Sequence, residues 1–292
     1  MTQLSVVREI APSARVAPGV KIGPYCVIGP NVTIGPNTVL ARRVSVLNRT
    51  TIGSDNIIEE GCVLGADPQD MKYAGGLTLL VIGHRNYFGP QVTAHIGTEF
   101  GGYVTRIGDE NVFMHGSHIA HDCFVDDATY LGRSVLLAGH VRVQSGAVIE
   151  EFAGLHHFTT IGRCAHVGPR TPVRRDVPPY TMFDGEGNEW SPAVRGVHDK
   201  GIASAKLSHH EESELRRVLQ ELFCDESALQ TKIEQIVSIG VEGQAAELCE
   251  FCQQSLQGKF GRHRELFRGK TPPEAVEFLP PERGGQPRRA SL

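Results

Sequence analysis

Five histidines, His95, His121, His140, His156 and His157, recur along the chain beside small and aliphatic residues. A neutral imidazole, with an ordinary pKa of ~6.5, takes a proton from a hydroxyl at physiological pH. These residues therefore suit a general base that activates a bound hydroxyl for acyl transfer. The chain has no Gly-x-Ser-x-Gly elbow, so direct attack of a substrate hydroxyl on an activated acyl group fits better than a serine acyl-enzyme. Gly139, immediately before His140, offers an unhindered backbone N–H to a developing oxyanion.

These residues must be positioned by a scaffold, and the scaffold is a repeat. An aliphatic residue stands at every sixth position at Ile10, Val16, Ile22, Ile28, Ile34, Leu40, Val46, Ile52, Ile58 and Leu64. The phase breaks after Gln69, resumes at Ile82, Phe88 and Ala94, and breaks again after Glu99. It then runs from Ile107 through Ile119, Leu137 and Leu155 to Val173. A period of six is neither that of a lone strand nor that of a helix; it predicts short strands joined by tight turns, stacked as a parallel β-helix. Glycines and Gly-Pro pairs, as in Ile22-Gly23-Pro24, are expected at its corners.

The aliphatic-Gly-x-x-small-x pattern resembles the left-handed β-helix of the hexapeptide acyltransferases, which implies a triangular coil of three hexads. Residues 18 apart, such as Ile119, Leu137 and Leu155, then lie on neighbouring coils about 4.8 Å apart. On that register His95, His121, His140, His156 and His157 share one edge. Both interruptions of the repeat leave from the same edge. A solenoid core needs none of these histidines, so their alignment points to a site.

Composition bounds the remaining functions. The chain has 292 residues, 40% hydrophobic and 21% charged, with a net charge of −4. The acidic balance argues against a nucleic-acid binder. No apolar run approaches the roughly 18 residues of a membrane span, and Met1 to Ile10 has no secretory pattern. Seven scattered cysteines predict a reducing, cytoplasmic location, and the Cys249/Cys252 pair reads as incidental buried thiols. Locally, Arg133, Arg142, Arg163, Arg170, Arg174 and Arg175 against Glu150 and Glu151 suggest an acidic partner or phosphates near the later coils.

The β-helix is expected over residues 1–190 and a helical domain over 191–270. Amphipathic helices are predicted at Glu211 to Phe223, Ala228 to Val237 and Gln244 to Leu256, and a disordered Pro-, Gly- and Arg-rich tail over 271–292.

Four segments are more specific than the repeat: Gln69-Asp70-Met71-Lys72-Tyr73-Ala74-Gly75, His118-Ile119-Ala120-His121-Asp122-Cys123, Leu137-Ala138-Gly139-His140-Val141 and Asp176-Val177-Pro178-Pro179-Tyr180. They resemble the signature segments of the UDP-N-acetylglucosamine O-acyltransferases that begin lipid A synthesis, over roughly residues 8 to 225. The resemblance implies a homotrimer with active sites between adjacent β-helices, and transfer of a 3-hydroxyacyl chain from acyl carrier protein to the sugar 3-hydroxyl. It implies His121 as general base, Asp122 as its partner and Gly139 as oxyanion donor. Asp70, Lys72, His118, His140 and His156 would position the substrates. No cofactor or metal is implied.

The chain departs from that pattern at several places. His156-His157-Phe158 stands where the family has His-Gln-Phe, and Gly168-Pro169 where it has a Gly-Gly pair. The phosphate-contacting Gly-Leu-Lys/Arg-Arg-Arg-Gly run reads Gly196-Val197-His198-Asp199-Lys200-Gly201, where an aspartate repels a polyanion and Lys200 compensates in part. Three other readings stay open at this point: a divergent paralogue acylating another nucleotide sugar, a zinc carbonic anhydrase built on the same repeat, and a non-catalytic trimeric scaffold.

Overall fold

The computed structural model describes residues 8–185, 192–224 and 228–279. Its first part is a three-sided parallel β-helix. Among the described residues, short strands assemble into sheets of nine, eight and ten strands, and nearly every strand pairs with the one three strands on. The register has the expected step of 18: Ile119 pairs with Leu137 and Leu137 with Leu155; across the interruptions Leu64 pairs with Ala94 and Ala94 with Ile119.

The periodic aliphatic residues point inward and, from Ile28 to Val173, form one continuous buried core. Ile10 and Val16, on the first coil, stay exposed because no preceding coil covers them. From Cys26 onward the residue two before each aliphatic position is also buried, and there polar side chains ladder from coil to coil. Asn86 donates to the Asn56 side-chain oxygen, Asn86 accepts from the Asn111 backbone and Asn111 accepts from Thr129. Cys26, Cys62 and Cys123 occupy the same ladder position as buried thiols.

The corners differ in detail from the expectation that glycine supplies the unusual backbone angles. At the third position after the aliphatic residue the backbone is left-handed, but Tyr25, Asn31, Asn37, Arg43, Asp122, His140 and Phe158 occupy it, with φ of 58° to 64°. Each such residue is strained by about 1 kcal/mol, offset by the stacking of whole coils. The glycine directly after the aliphatic residue serves close approach instead. A Cβ on Gly23 would lie 2.6 Å from the Ala41 carbonyl carbon of the next coil.

The two excursions, leaving after Val63–Ala66 and after Thr93–His95, meet each other, with the Gly76 N–H donating to Glu99 at 2.6 Å. Beyond Val173, Thr181–Asp184 extends the third sheet and Ala193–Val197 adds an antiparallel strand. Among the described residues four helices follow: α1 (Asp199–Ser204), α2 (His209–Phe223), α3 (Leu229–Ile239) and α4 (Gly243–Gln257). The last three lie where the apolar spacing placed them. Ser208 and Glu211 form a reciprocal cap at the start of α2. The apolar faces close around Leu215, Leu219, Ile233, Leu248, Cys249 and Cys252, together with Tyr180 from the end of the β-helix.

The expected disordered tail needs correction over 271–279. After α4 the chain returns across the outside of the β-helix as a strap of short helical turns, Lys259–Gly261, His263–Phe267 and Pro273–Phe278. Ala275 is fully buried against Val104 and Phe124 of the second sheet, with Phe278 packed alongside. Apolar side chains on the outer face of that sheet give the segment a surface to fold on. Residues 280–292 lie outside the described residues.

Candidate active site

The corner between the first and second sheets collects the histidines. His118 ends the turn into its strand, His121 and Asp122 follow that strand, Gly139 and His140 sit one coil on, and His156 one coil further. The left-handed position of this corner stacks Asp122, His140 and Phe158 in one column. The His140 ring lies 4.3 Å from that of Phe158 and edge-on to His121 at 5.2 Å.

Asp122 is fully buried. It accepts the Thr98 N–H at 2.8 Å and the Thr98 hydroxyl at 2.7 Å, and its backbone N–H donates to the Thr105 hydroxyl at 2.8 Å. The second excursion, which carries Thr98, thus fixes the carboxylate. Its Oδ2 meets His121 Nδ1 at 2.7 Å. A carboxylate that only accepts sets the tautomer with the proton on Nδ1 and leaves Nε2 as an acceptor. His140 Nδ1 stands farther off, 3.8 Å from the same oxygen.

His121 forms part of the wall of a cavity of about 470 Å³, which it shares with His118, Gly139, His156, Gln69 and Arg174. Burial pushes His118 and His140 down to about 4, so both are neutral at physiological pH. His118 Nδ1 is paired with the Thr93 hydroxyl at 2.8 Å, and His156 Nδ1 donates to the His157 carbonyl at 3.2 Å. Among the described residues the Gly139 N–H has no protein acceptor. A Cβ on Gly139 would come within 2.5 Å of the His121 ring, so only glycine lets the ring rest there.

Not every residue singled out in the sequence arrives at this cavity within one chain. Lys72 is exposed, and Asp70 is occupied in a local turn, accepting the Lys72 N–H at 2.9 Å; it is the neighbouring Gln69 that reaches the wall. His157 turns to the far side of His156, with the rings 3.8 Å apart, and faces a second cleft. Lys200 lines a separate cavity of about 840 Å³ between the third sheet and the helices, with His166 and His198. There Asp199 pairs with Arg216 at 2.6 Å, so its charge is offset within its own chain.

Sequence reasoning missed Arg264. Its side chain is buried over the Phe124 ring, donates to the His140 carbonyl at 2.9 Å and forms an ion pair with Glu274. Burial pushes the guanidinium down to about 10, which leaves it charged. Arg264 stands among other basic residues, Arg262, Arg268 and Lys270, after the last amphipathic helix, where no periodic signal marks it.

Two imidazoles and a carboxylate at one corner also fit a metal: ligand atoms of His121, Asp122 and His140 all lie within 4.8 Å of one another. The 2.7 Å contact between His121 and Asp122 has the length of a direct hydrogen bond, and Oδ2 already accepts from Thr98.

A family model described as bacterial transferase hexapeptide matches residues 9–36, and one described as UDP-N-acetylglucosamine O-acyltransferase, domain 2, matches residues 176–260. An acyl-[acyl-carrier-protein]–UDP-N-acetylglucosamine O-acyltransferase of Synechocystis is 37% identical over 193 residues, 66% of this chain and 68% of its own length. Among solved structures, a Francisella novicida UDP-N-acetylglucosamine acyltransferase superposes with a TM-score of 0.81 at 29% identity, covering 94% of this chain and 95% of that one. A Moraxella catarrhalis UDP-N-acetylglucosamine O-acyltransferase superposes at 0.77 with 32% identity, covering 83% and 93%. The architecture is thus a left-handed parallel β-helix followed by a helical region, and the chain belongs to the acyl-[acyl-carrier-protein]–UDP-N-acetylglucosamine O-acyltransferase family.

Proposed function

We propose that this chain moves a 3-hydroxyacyl group from acyl carrier protein to the 3-hydroxyl of UDP-N-acetylglucosamine, with His121 as the general base. The observation that carries the chemistry is the 2.7 Å contact between His121 Nδ1 and the buried Asp122, which leaves Nε2 as the acceptor in a cavity wall. His121 Nε2 takes the hydroxyl proton as the sugar oxygen attacks the thioester carbonyl. The charge that develops on the carbonyl oxygen is met by the Gly139 N–H. Collapse of the tetrahedral intermediate expels the carrier-protein thiolate, and the His121 imidazolium returns the proton to that sulfur, giving an ester and a free thiol.

Within one chain the cavity lacks Asp70, Lys72 and Lys200. A homotrimer with sites between adjacent β-helices explains this, because a second copy brings those residues to the first copy's corner. The exposed Leu136 on the cavity wall is in keeping with a face that a neighbour covers. Among the described residues no helix is long and apolar enough to cross a membrane.

The test is incubation of the purified protein with 3-hydroxyacyl carrier proteins and UDP-N-acetylglucosamine, with product read by mass spectrometry. Acylated nucleotide sugar is expected, and His121→Ala loses about 10²- to 10⁴-fold in rate. Absence of product with every chain length, but product with another nucleotide sugar, would instead make this a paralogue of different acceptor. The clustered His121, Asp122 and His140 support one alternative, a bound zinc ion. About one equivalent of metal per chain, with activity abolished by chelation, would replace the general-base reading.

A further inference from the structure

We propose that the C-terminal strap and the last coils build a second, cationic cleft that binds a phosphoester of one of the substrates while the reactive end lies at His121. This rests on the acyl-transfer reading above and assigns a function to residues outside its chemistry.

The cleft has a volume of about 920 Å³. Arg174, Arg175, Lys259, Arg262 and Arg268 line it, and the only carboxylate on its wall is Glu265. Glu265 is shared by two guanidinium groups, with Arg262 at 2.6 Å and Arg268 at 2.8 Å. Its partial burial works to raise the carboxyl, but the bonds from Arg268 and Arg262 outweigh burial and hold it at about 2. Among the described residues Arg174, Arg175 and Lys259 have no carboxylate partner. His157 on the same wall is pushed down to about 4, by burial first and then by the neighbouring His156 and Arg268, and so adds a neutral ring instead of another charge.

Unpaired cations at a surface often only face solvent. Here they are held. The Arg262 side chain is buried and donates to the Arg174 carbonyl at 3.0 Å, so the strap fixes the backbone that presents Arg174. Asp176 receives the His263 N–H at 2.8 Å and clamps the strap to the coil from the other side. Arg268 lies over the Phe158 ring at 4.5 Å, and Phe158 is the residue on which His140 stacks. His156 and Arg174 belong to the walls of both cavities, so the cleft adjoins the reaction cavity.

Several guanidinium forks around one concavity match the oxygens of a phosphate better than a single carboxylate. Both substrates bring such a group: the diphosphate of the nucleotide sugar and the phosphodiester of the carrier protein's pantetheine arm. With Asp199 spent on Arg216, the Gly196–Gly201 segment offers Lys200 alone as an uncommitted cation, and the strap makes up the deficit.

The experiment is equilibrium binding of inorganic pyrophosphate to the full chain, wild type against Arg174→Gln/Arg268→Gln. Both side chains are exposed, and a thermal melt confirms that the variant is folded. Binding at least tenfold weaker in the glutamine variant and largely retained in Arg174→Lys/Arg268→Lys is expected. Equal affinity in wild type and glutamine variant, or no saturable binding by wild type up to about 10 mM, overturns the proposal. Steady-state kinetics identify the source: a rise of fivefold or more in KM for the nucleotide sugar or for the acyl carrier protein names the phosphoester held, and unchanged KM for both overturns the cleft. The binding arm needs no turnover, so a wild type that transfers no acyl group refutes the catalytic reading without deciding the cleft.

Discussion

Asp122→Asn is the perturbation whose outcome follows most completely from the geometry. The asparagine has the same shape and keeps the oxygen that accepts the Thr98 N–H, so the fully buried corner stays filled. On the other branch an amide N–H now faces His121 Nδ1, 2.7 Å away. A donor there selects the opposite tautomer, with Nδ1 unprotonated and the proton on Nε2, which can then accept nothing from a sugar hydroxyl. The loss should equal the contribution of a positioned base, about 10² to 10⁴ in rate, or roughly 3 to 5 kcal/mol of activation free energy. It should fall on kcat, with KM changed by less than about threefold, because Asp122 is buried away from substrate. The assay is steady-state and single-turnover acyl transfer, with nitrogen NMR of the His121 ring to read the tautomer. A variant with kcat within fivefold of wild type, or an unchanged tautomer, would refute the reasoning.

Gly139→Ala places a methyl group within 2.5 Å of the His121 ring and should abolish measurable transfer by displacing the base, while far-ultraviolet dichroism stays that of the β-helix. Folding stability should fall as the pH drops through the window from about 6.5 to about 4. Burial holds His118 and His140 at about 4 in the folded protein while the unfolded chain binds their protons near 6.5, so the stabilisation is complete above the upper limit. For His140 this amounts to on the order of 3 kcal/mol; Asp176, pushed up to about 6 by burial, opposes it from about pH 6 downward, over most of the window, but is one group against several. Urea titrations at about pH 7.5 and pH 4.5 check the sign, and equal midpoints would contradict it. Arg264→Met removes the donor to the His140 carbonyl and leaves Glu274 only the more distant Arg142, at 3.8 Å, and should cost about 3 kcal/mol in chemical denaturation, with kcat falling more than KM rises.

The scaffold was legible because its physics is periodic. One inward aliphatic residue per six specified the core from Ile28 to Val173, and steps of 18 place Ile119, Leu137 and Leu155 on adjacent coils. The same count brought His121, His140 and His156 to one corner. What the count could not reach was non-periodic. The left-handed corner angles fall on Asp122, His140 and Phe158, where no glycine marks them, and a single Asp or His is too common to announce a corner. The strap hides in a composition that reads as disordered, since its stability comes from Ala275 and Phe278 meeting Phe124 and Val104 more than a hundred residues away. Nor could spacing show that Asp70, Lys72 and Lys200 miss the cavity wall within a single chain, because that depends on where two excursions and a helix start come to rest.

A crystal structure with UDP-N-acetylglucosamine bound reaches the central claim without intermediaries. The account predicts the sugar 3-hydroxyl oxygen about 2.6 to 3.2 Å from Nε2 of His121, with Nδ1 still on Asp122. A nucleotide sugar seated with that hydroxyl on another wall, beyond reach of His121, would contradict it.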